Sequence, residues 1–329
     1  MKLASKKNHT PDGVLYVVSC DLKTMVAASE IAPTMRYALD HWSNVASELA
    51  LQYEKLNNQA LTNIQVFDSK QLTAPLPRAT QWLDGSAYVN HVELARKSRG
   101  ASMPDSFWHE PLMYQGVSDN LLGPCDSIVG HQDWGIDFEA ELVVITDDVP
   151  AGCSVENAAQ HIRLITLCND ISLRNLIAPE LQKGFGFVQS KPASAFGPVA
   201  VTPDEISDYW HNGQLHLPML IHLNSRLFGQ PDCGTDMVFS FLALIAHAAK
   251  TRHLGAGTLI GSGTISNRDS SKGTACLVEK RVLETLATGK PITPWLTSGD
   301  KVTLEIKDHQ GHSIWGQIDQ KVKLLNNGH

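Results

Sequence analysis

The chain has 329 residues, enough for one large or two ordinary domains, and 43% hydrophobic against 19% charged residues is an ordinary globular balance. A formal net charge of −7 argues against nucleic acid or an acidic membrane surface as the main partner. No apolar run is long enough to span a membrane, and the basic start MKLASKKNHTPDG lacks the apolar core of a signal peptide. The six cysteines are scattered without a C-x-x-C pair, so reduced thiols in a cytoplasmic protein are expected and a zinc–thiolate site is not.

Residues 14–20, VLYVVSC, read as an early strand. Thr34 can cap one helix over 35–53, where Met35, Leu39, Trp42, Val45 and Leu49 recur at helical spacing. A polar loop follows, then a short strand at 64–67. The run LTAPLPR at 72–78 carries two prolines and marks a boundary. The expected organisation is a small N-terminal α+β module over 1–75 and a larger, β-rich second domain over 76–329.

In the second domain, Asp84 precedes a Gly-Ser loop and His91 falls in a helix expected over 88–97. They fit either a loop carboxylate and a helix histidine, or a general base beside an acid. Tyr114 sits in FWHEPLMYQG, a proline-containing aromatic loop of the kind that walls a pocket, although a core tyrosine reads the same way. WGIDFEAELVVIT at 134–146 reads as one strand. Alternation then gives Asp137, Glu139 and Glu141 one face and Ile136, Phe138, Ala140 and Leu142 the other. Such a face is either solvated or gathered around a hard divalent cation.

Further along, spacing suggests a helix capped by Ser154 and running through Ile162 and Ile165 to about Cys168. Asp170 and Arg174 follow, as a plain ion pair or as a ligand beside an anion-binding arginine. A short helix is expected over 173–183. Lys191 lies in the irregular loop 185–198, either solvated or aimed at a developing oxyanion. Strand character at 215–227 is interrupted by Pro218, and a helix is expected over 237–253. GSGTIS at 261–266 is not a phosphate loop, because no G-K-[ST] follows. Residues 275–282, 301–306 and 313–322 read as strands.

Taken together these motifs resemble the fumarylacetoacetate hydrolase family. The resemblance is an ordered series: Asp84-x6-His91, the loop Pro111 to Gly116 with Tyr114, Glu139-x-Glu141, Asn169-Asp170-x-Ser172-x-Arg174, Ser190-Lys191, and Gly263-Thr264-Ile265-Ser266. It runs from about Gln81 to Val322 and is weak over the first 75 or so residues. It implies an α+β, β-rich fold with a mixed β-roll or barrel C-terminal domain, a homodimer, and Mg²⁺ or Ca²⁺ as cofactor. By the same resemblance, Asp84, Glu139, Glu141 and Asp170 are expected as metal ligands, His91 as general base and Glu279 as its orienting acid. Arg174, Lys191 and Tyr114 would contact substrate and oxyanion, Thr264 a substrate carboxylate, and Arg99 (or Arg96) the far carboxylate. Ile177 stands where the family has a glutamine.

The implied activity is metal-dependent hydrolysis of a carbon–carbon bond in a β-diketone. The first substrate to test is the dicarboxylate fumarylacetoacetate, cleaved to fumarate and acetoacetate in tyrosine breakdown. Ile177 leaves open an acylpyruvate hydrolase or a decarboxylase or hydratase of 2-keto acids. A non-catalytic metal-binding protein is the remaining alternative.

Overall fold

The structure, a computed structural model, describes residues 1–97 and 102–325. Its centre is an 11-stranded mixed sheet. From one edge the order is Gln65–Val66, Thr24–Ala27, Val14–Val18, Lys2–Lys6, Ala200–Val201, Ile162–Asn169, Ala140–Thr146, Thr258–Gly261, Gln81–Gly85 and Met113–Gln115. Ala195–Phe196 pairs off this path, on Ile162–Asn169. A second sheet of five strands runs Arg226–Gly229, Met219–Leu223, Lys301–Ile306, Ile318–Leu324 and Ile128–Gly130. The fold is thus mixed α+β and rich in sheet. No helix among the described residues is long and apolar enough to cross a membrane, and all six cysteines are free.

Every residue of Ala140–Thr146 is buried, because helices or other strands cover both of its faces. Its neighbour Ile162–Asn169 is nearly as deep, and the two pair antiparallel with Glu141 opposite Cys168. A strand buried on both sides reads as a continuous apolar run. That is why the segment expected as a helix to Cys168 folds otherwise. Only Val155–Ala158 is α-helical, a single 3₁₀ turn follows at Ala159–His161, and the rest is a central strand. For short apolar runs, periodicity alone does not separate a buried strand from a buried helix.

Other expectations are corrected in the same way. The helix predicted over 35–53 breaks at His41, whose φ of −123° leaves the helical region, giving Met35–Asp40 and Trp42–Asn57. Thr34 does cap the first, accepting the Tyr37 N–H. The helix predicted over 237–253 is only Phe241–Ala248, because Ser240 caps it and accepts from Ala243 N. The strand expected at 275–282 is instead the start of the helix Leu277–Thr288, which buries Leu277, Glu279 and Val282 on one face and stops at Gly289 in the left-handed region. The strand expected over 134–146 is interrupted at Phe138 and Glu139, leaving Ile136–Asp137 and Ala140–Thr146 as separate pieces.

Candidate active site

One small cavity of about 190 Å³ opens where these elements meet. Asp84 lies near the end of the strand Gln81–Gly85, in register with Gly261 on the parallel neighbour Thr258–Gly261. A Cβ at Gly261 would collide with Asp84 Oδ1 and the Trp82 ring, so only glycine leaves room for that carboxylate. Gly263 N–H donates to Asp84 Oδ1 at 3.0 Å. Glu141 projects from the buried strand, with neither carboxylate oxygen hydrogen-bonded. Asp170 follows Ile162–Asn169. It accepts from Ser194 Oγ at 2.6 Å, Tyr114 OH at 2.7 Å and Lys191 Nζ at 2.5 Å. One oxygen each of Asp84, Glu141 and Asp170 lies within 4.8 Å of the others, and all three residues are buried.

Lys191 also donates to Glu139 Oε2, and Arg174 Nη2 donates to Glu139 Oε1 at 2.6 Å. Glu139 therefore lies beside the trio, matched by two cations, and its carboxyl is held well below the usual range. Burial opposes that ionisation, but Arg174, Lys191 and His91 outweigh it. The opposite holds for Glu141. Burial first, then the charges of Asp84, Asp170 and Glu139, push its carboxyl well above the ordinary value. Burial and Asp170 likewise raise Asp84 to about 8. Lys191 is pulled down by burial yet pushed up further by Asp170 and Glu139, so it stays charged. The cluster holds more carboxylates than its cations balance. Its unpaired oxygens are hard donors, which suit Mg²⁺, Mn²⁺ or Ca²⁺.

His91 lies on the helix Val89–Lys97 and lines the cavity. Its Nε2 is 3.7 Å from Glu139 Oε1 and its Nδ1 is 4.0 Å from Glu279 Oε2. Burial lowers its pKa to about 4, so the imidazole is neutral at pH 7. Glu279 sits in the first turn of Leu277–Thr288, where burial raises its carboxyl to about 7. Ser266 Oγ donates to Glu279, and Asn90 Nδ2 donates to Ser266 Oγ at 2.7 Å. Thr264 lines the cavity and is 3% exposed.

The sequence-predicted residues Asp84, His91, Tyr114, Glu139, Glu141, Asp170, Arg174, Lys191, Thr264 and Glu279 thus converge. Arg99 lies outside the described residues. Arg96 turns away, donating to Ser102 O at 2.7 Å and lying over the Phe107 ring. Asp137 does not join the carboxylate face. It accepts from Leu277 N at 2.7 Å, Val278 N at 3.0 Å and Arg174 Nε at 2.8 Å, so it tethers the start of a helix and the arginine. Sequence reasoning missed Ser194 and Asn90, whose partners are distant in the chain. It also missed Leu181 and Phe187 in the cavity wall.

The model of the fumarylacetoacetate (FAA) hydrolase C-terminal region matches residues 80–323, and that of fumarylacetoacetase N-terminal domain 2 matches residues 1–78. The chain belongs to the fumarylacetoacetate hydrolase family. Among its relatives, oxaloacetate tautomerase YisK of Bacillus subtilis (strain 168) is 26% identical over 79% of this chain and 78% of its own length. The mitochondrial oxaloacetate tautomerase fahd2 of Xenopus laevis is 31% identical over 66% of this chain and 65% of its own. The fold is shared with a maleylpyruvate hydrolase from Sphingobium sp. SYK-6, solved in complex with manganese (II) ion and pyruvate. The TM-score is 0.65 at 16% identity, covering 98% of this chain and 99% of that one.

Proposed function

We propose that the protein is a divalent-cation-dependent hydrolase that cleaves the carbon–carbon bond of a β-diketone acid, most simply a 2,4-dioxo acid of the acylpyruvate class. The observation that carries this reading is the placement of His91. It is a neutral imidazole on the cavity wall, backed by Glu279 on one side and beside the carboxylate cluster on the other. Asp84, Glu141 and Asp170, with Glu139 adjacent, would hold the cation. When bound, a divalent cation polarises the dicarbonyl oxygens and stabilises negative charge on the leaving enolate.

The remaining steps fall to the chain itself. Neutral His91 accepts a proton from water through Nε2, with Glu279 Oε2 4.0 Å from its Nδ1 on the far side of the ring. The hydroxide adds to the 4-carbonyl carbon. Lys191 Nζ and Arg174 stabilise the oxyanion. The C3–C4 bond then breaks, the acyl group leaves as a carboxylic acid, and the proton on His91 passes to C3 to give pyruvate. Tyr114 OH, donating to Asp170, fixes that carboxylate's orientation.

Fumarylacetoacetate shares the dicarbonyl unit and the same steps, but it adds a terminal carboxylate. Among the described residues of the cavity wall, Arg174 and Lys191 serve the reacting carbonyl and no further lysine or arginine faces a second carboxylate, which favours an acylpyruvate over it. A tautomerase is the second reading, supported by the two named relatives: His91 would then move a substrate proton without activating water. The assay is incubation of 2,4-dioxopentanoate with Mn²⁺ or Mg²⁺ and, in parallel, with chelator. Equal amounts of pyruvate and acetate, formed only with metal, are expected. Keto–enol interconversion of oxaloacetate with no cleavage of the dioxo acid would replace the hydrolase with a tautomerase.

A further inference from the structure

Within the catalytic reading above, we propose that the outer wall of the cavity is a subsite for a hydrocarbon tail. The substrate's end remote from the dicarbonyl would then be uncharged. The argument starts on the helix Arg174–Lys183. Arg174, Ile177 and Leu181 stand at i, i+3 and i+7, which places them on one face, two turns in length. All three line the cavity. Along that face the wall changes from a guanidinium at the base to two aliphatic side chains toward the mouth.

Phe187 lines the same cavity and meets the Tyr114 ring edge-to-face at 5.4 Å. Its loop is held by Glu180, on the same helix, which accepts from Val188 N at 3.1 Å, Gln189 N at 2.8 Å and Ser190 N at 3.0 Å. The aliphatic face and the aromatic ring are therefore parts of one fastened unit. Leu181 both lines the cavity and is 44% exposed, so the apolar wall reaches the protein surface.

Charge points the same way. Arg174 is engaged by Asp137 and Glu139, and Lys191 by Glu139 and Asp170. Among the described residues that line the cavity, no further lysine or arginine stands ready for a second substrate carboxylate. A terminal carboxylate at Ile177, Leu181 and Phe187 would lose water without gaining a partner. A propyl or butyl end would instead exchange water for apolar surface, with a gain of about fourfold in affinity per methylene buried.

The test compares 2-oxohexanoate with 2-oxoadipate, equal in chain length and differing only at the far end, by calorimetric titration into the Mn²⁺-loaded full chain. The expected result is 2-oxohexanoate binding at least about tenfold more tightly, with affinity rising along the series from 2-oxobutanoate. Leu181→Arg, at an exposed position on the cavity wall, is expected to reverse the preference. Tighter binding of 2-oxoadipate to the unsubstituted protein, or an unchanged preference in Leu181→Arg, would overturn the subsite while leaving the catalytic reading intact. If neither acid binds the metal-loaded protein, the catalytic reading falls and the subsite falls with it.

Discussion

Replacing Asp84 with asparagine should make the metal-free protein more stable and the metal-bound protein less so. In the chelated protein Asp84 is buried beside Asp170, and its carboxyl is raised from 3.8 to about 8. A folded-state pKa above the unfolded value means that the native state binds the extra proton between those limits. The group's contribution is therefore complete below pH 3.8 and lost as pH rises toward 8. At pH 7 the difference reaches about 4 kcal/mol at ~1.36 kcal/mol per unit. Asp84 and Glu141 titrate together beside Lys191, so this is a ceiling. For a chain of this length about 4 kcal/mol corresponds to ~6 °C in Tm. The substituted amide keeps an oxygen for the Gly263 N–H and removes the charge. The assay is differential scanning calorimetry between about pH 5 and 8, with chelator and with Mn²⁺. The variant should melt higher than wild type in chelator, by a margin that widens with pH, and should lose the rise in Tm that Mn²⁺ gives wild type. A variant that melts lower in chelator at about pH 8, or that keeps the full metal-induced rise, would refute this account of the cluster.

Three further outcomes follow from the same geometry. His91→Asn should abolish turnover of 2,4-dioxopentanoate, by at least about a hundredfold in kcat, while Mn²⁺ affinity measured by calorimetry changes little. Gly261→Ala drives a methyl group into Asp84 Oδ1 and the Trp82 ring, so Mn²⁺ should bind at least about tenfold more weakly and stability should fall by about 1–3 kcal/mol in urea unfolding. Glu180→Ala strands the N–H groups of Val188, Gln189 and Ser190 next to Lys191. It should cost about 2–3 kcal/mol and lower kcat/KM by more than about tenfold, whereas Glu180→Gln, which keeps one carbonyl oxygen, should recover part of both.

Much of the candidate site is legible in the sequence because its residues come in short, ordered motifs whose spacing survives folding. Glu139-x-Glu141 and Asp170 sit at matching ends of two paired strands, so once Ala140 opposes Asn169 the carboxylates converge. What the sequence hides is decided by partners far along the chain. Alternation puts Asp137 on the face of Glu139 and Glu141, yet the break at Phe138 and Glu139 frees it to bind Leu277 and Val278, 140 and 141 positions away. That contact stays invisible while 275–282 reads as a strand. The apolar wall is hidden for a related reason: Leu181 is exposed and Phe187 lies in an irregular loop, so neither carries the periodic signature of a core residue. In the fold, errors gather where both faces of an element are buried, as in Ile162–Asn169, since the alternation that marks a strand then disappears.

The most direct test of the central claim is a Mn²⁺ titration of the chelator-treated protein near neutral pH that counts bound ions and released protons together. Burial and mutual repulsion raise Asp84 to about 8 and Glu141 well above its ordinary value, so a cation binding among them is expected to displace protons. The account predicts one Mn²⁺ per chain with release of about one to two protons, and loss of both in Glu141→Gln. Absence of binding, or binding that releases no proton and survives Glu141→Gln unchanged, would contradict it.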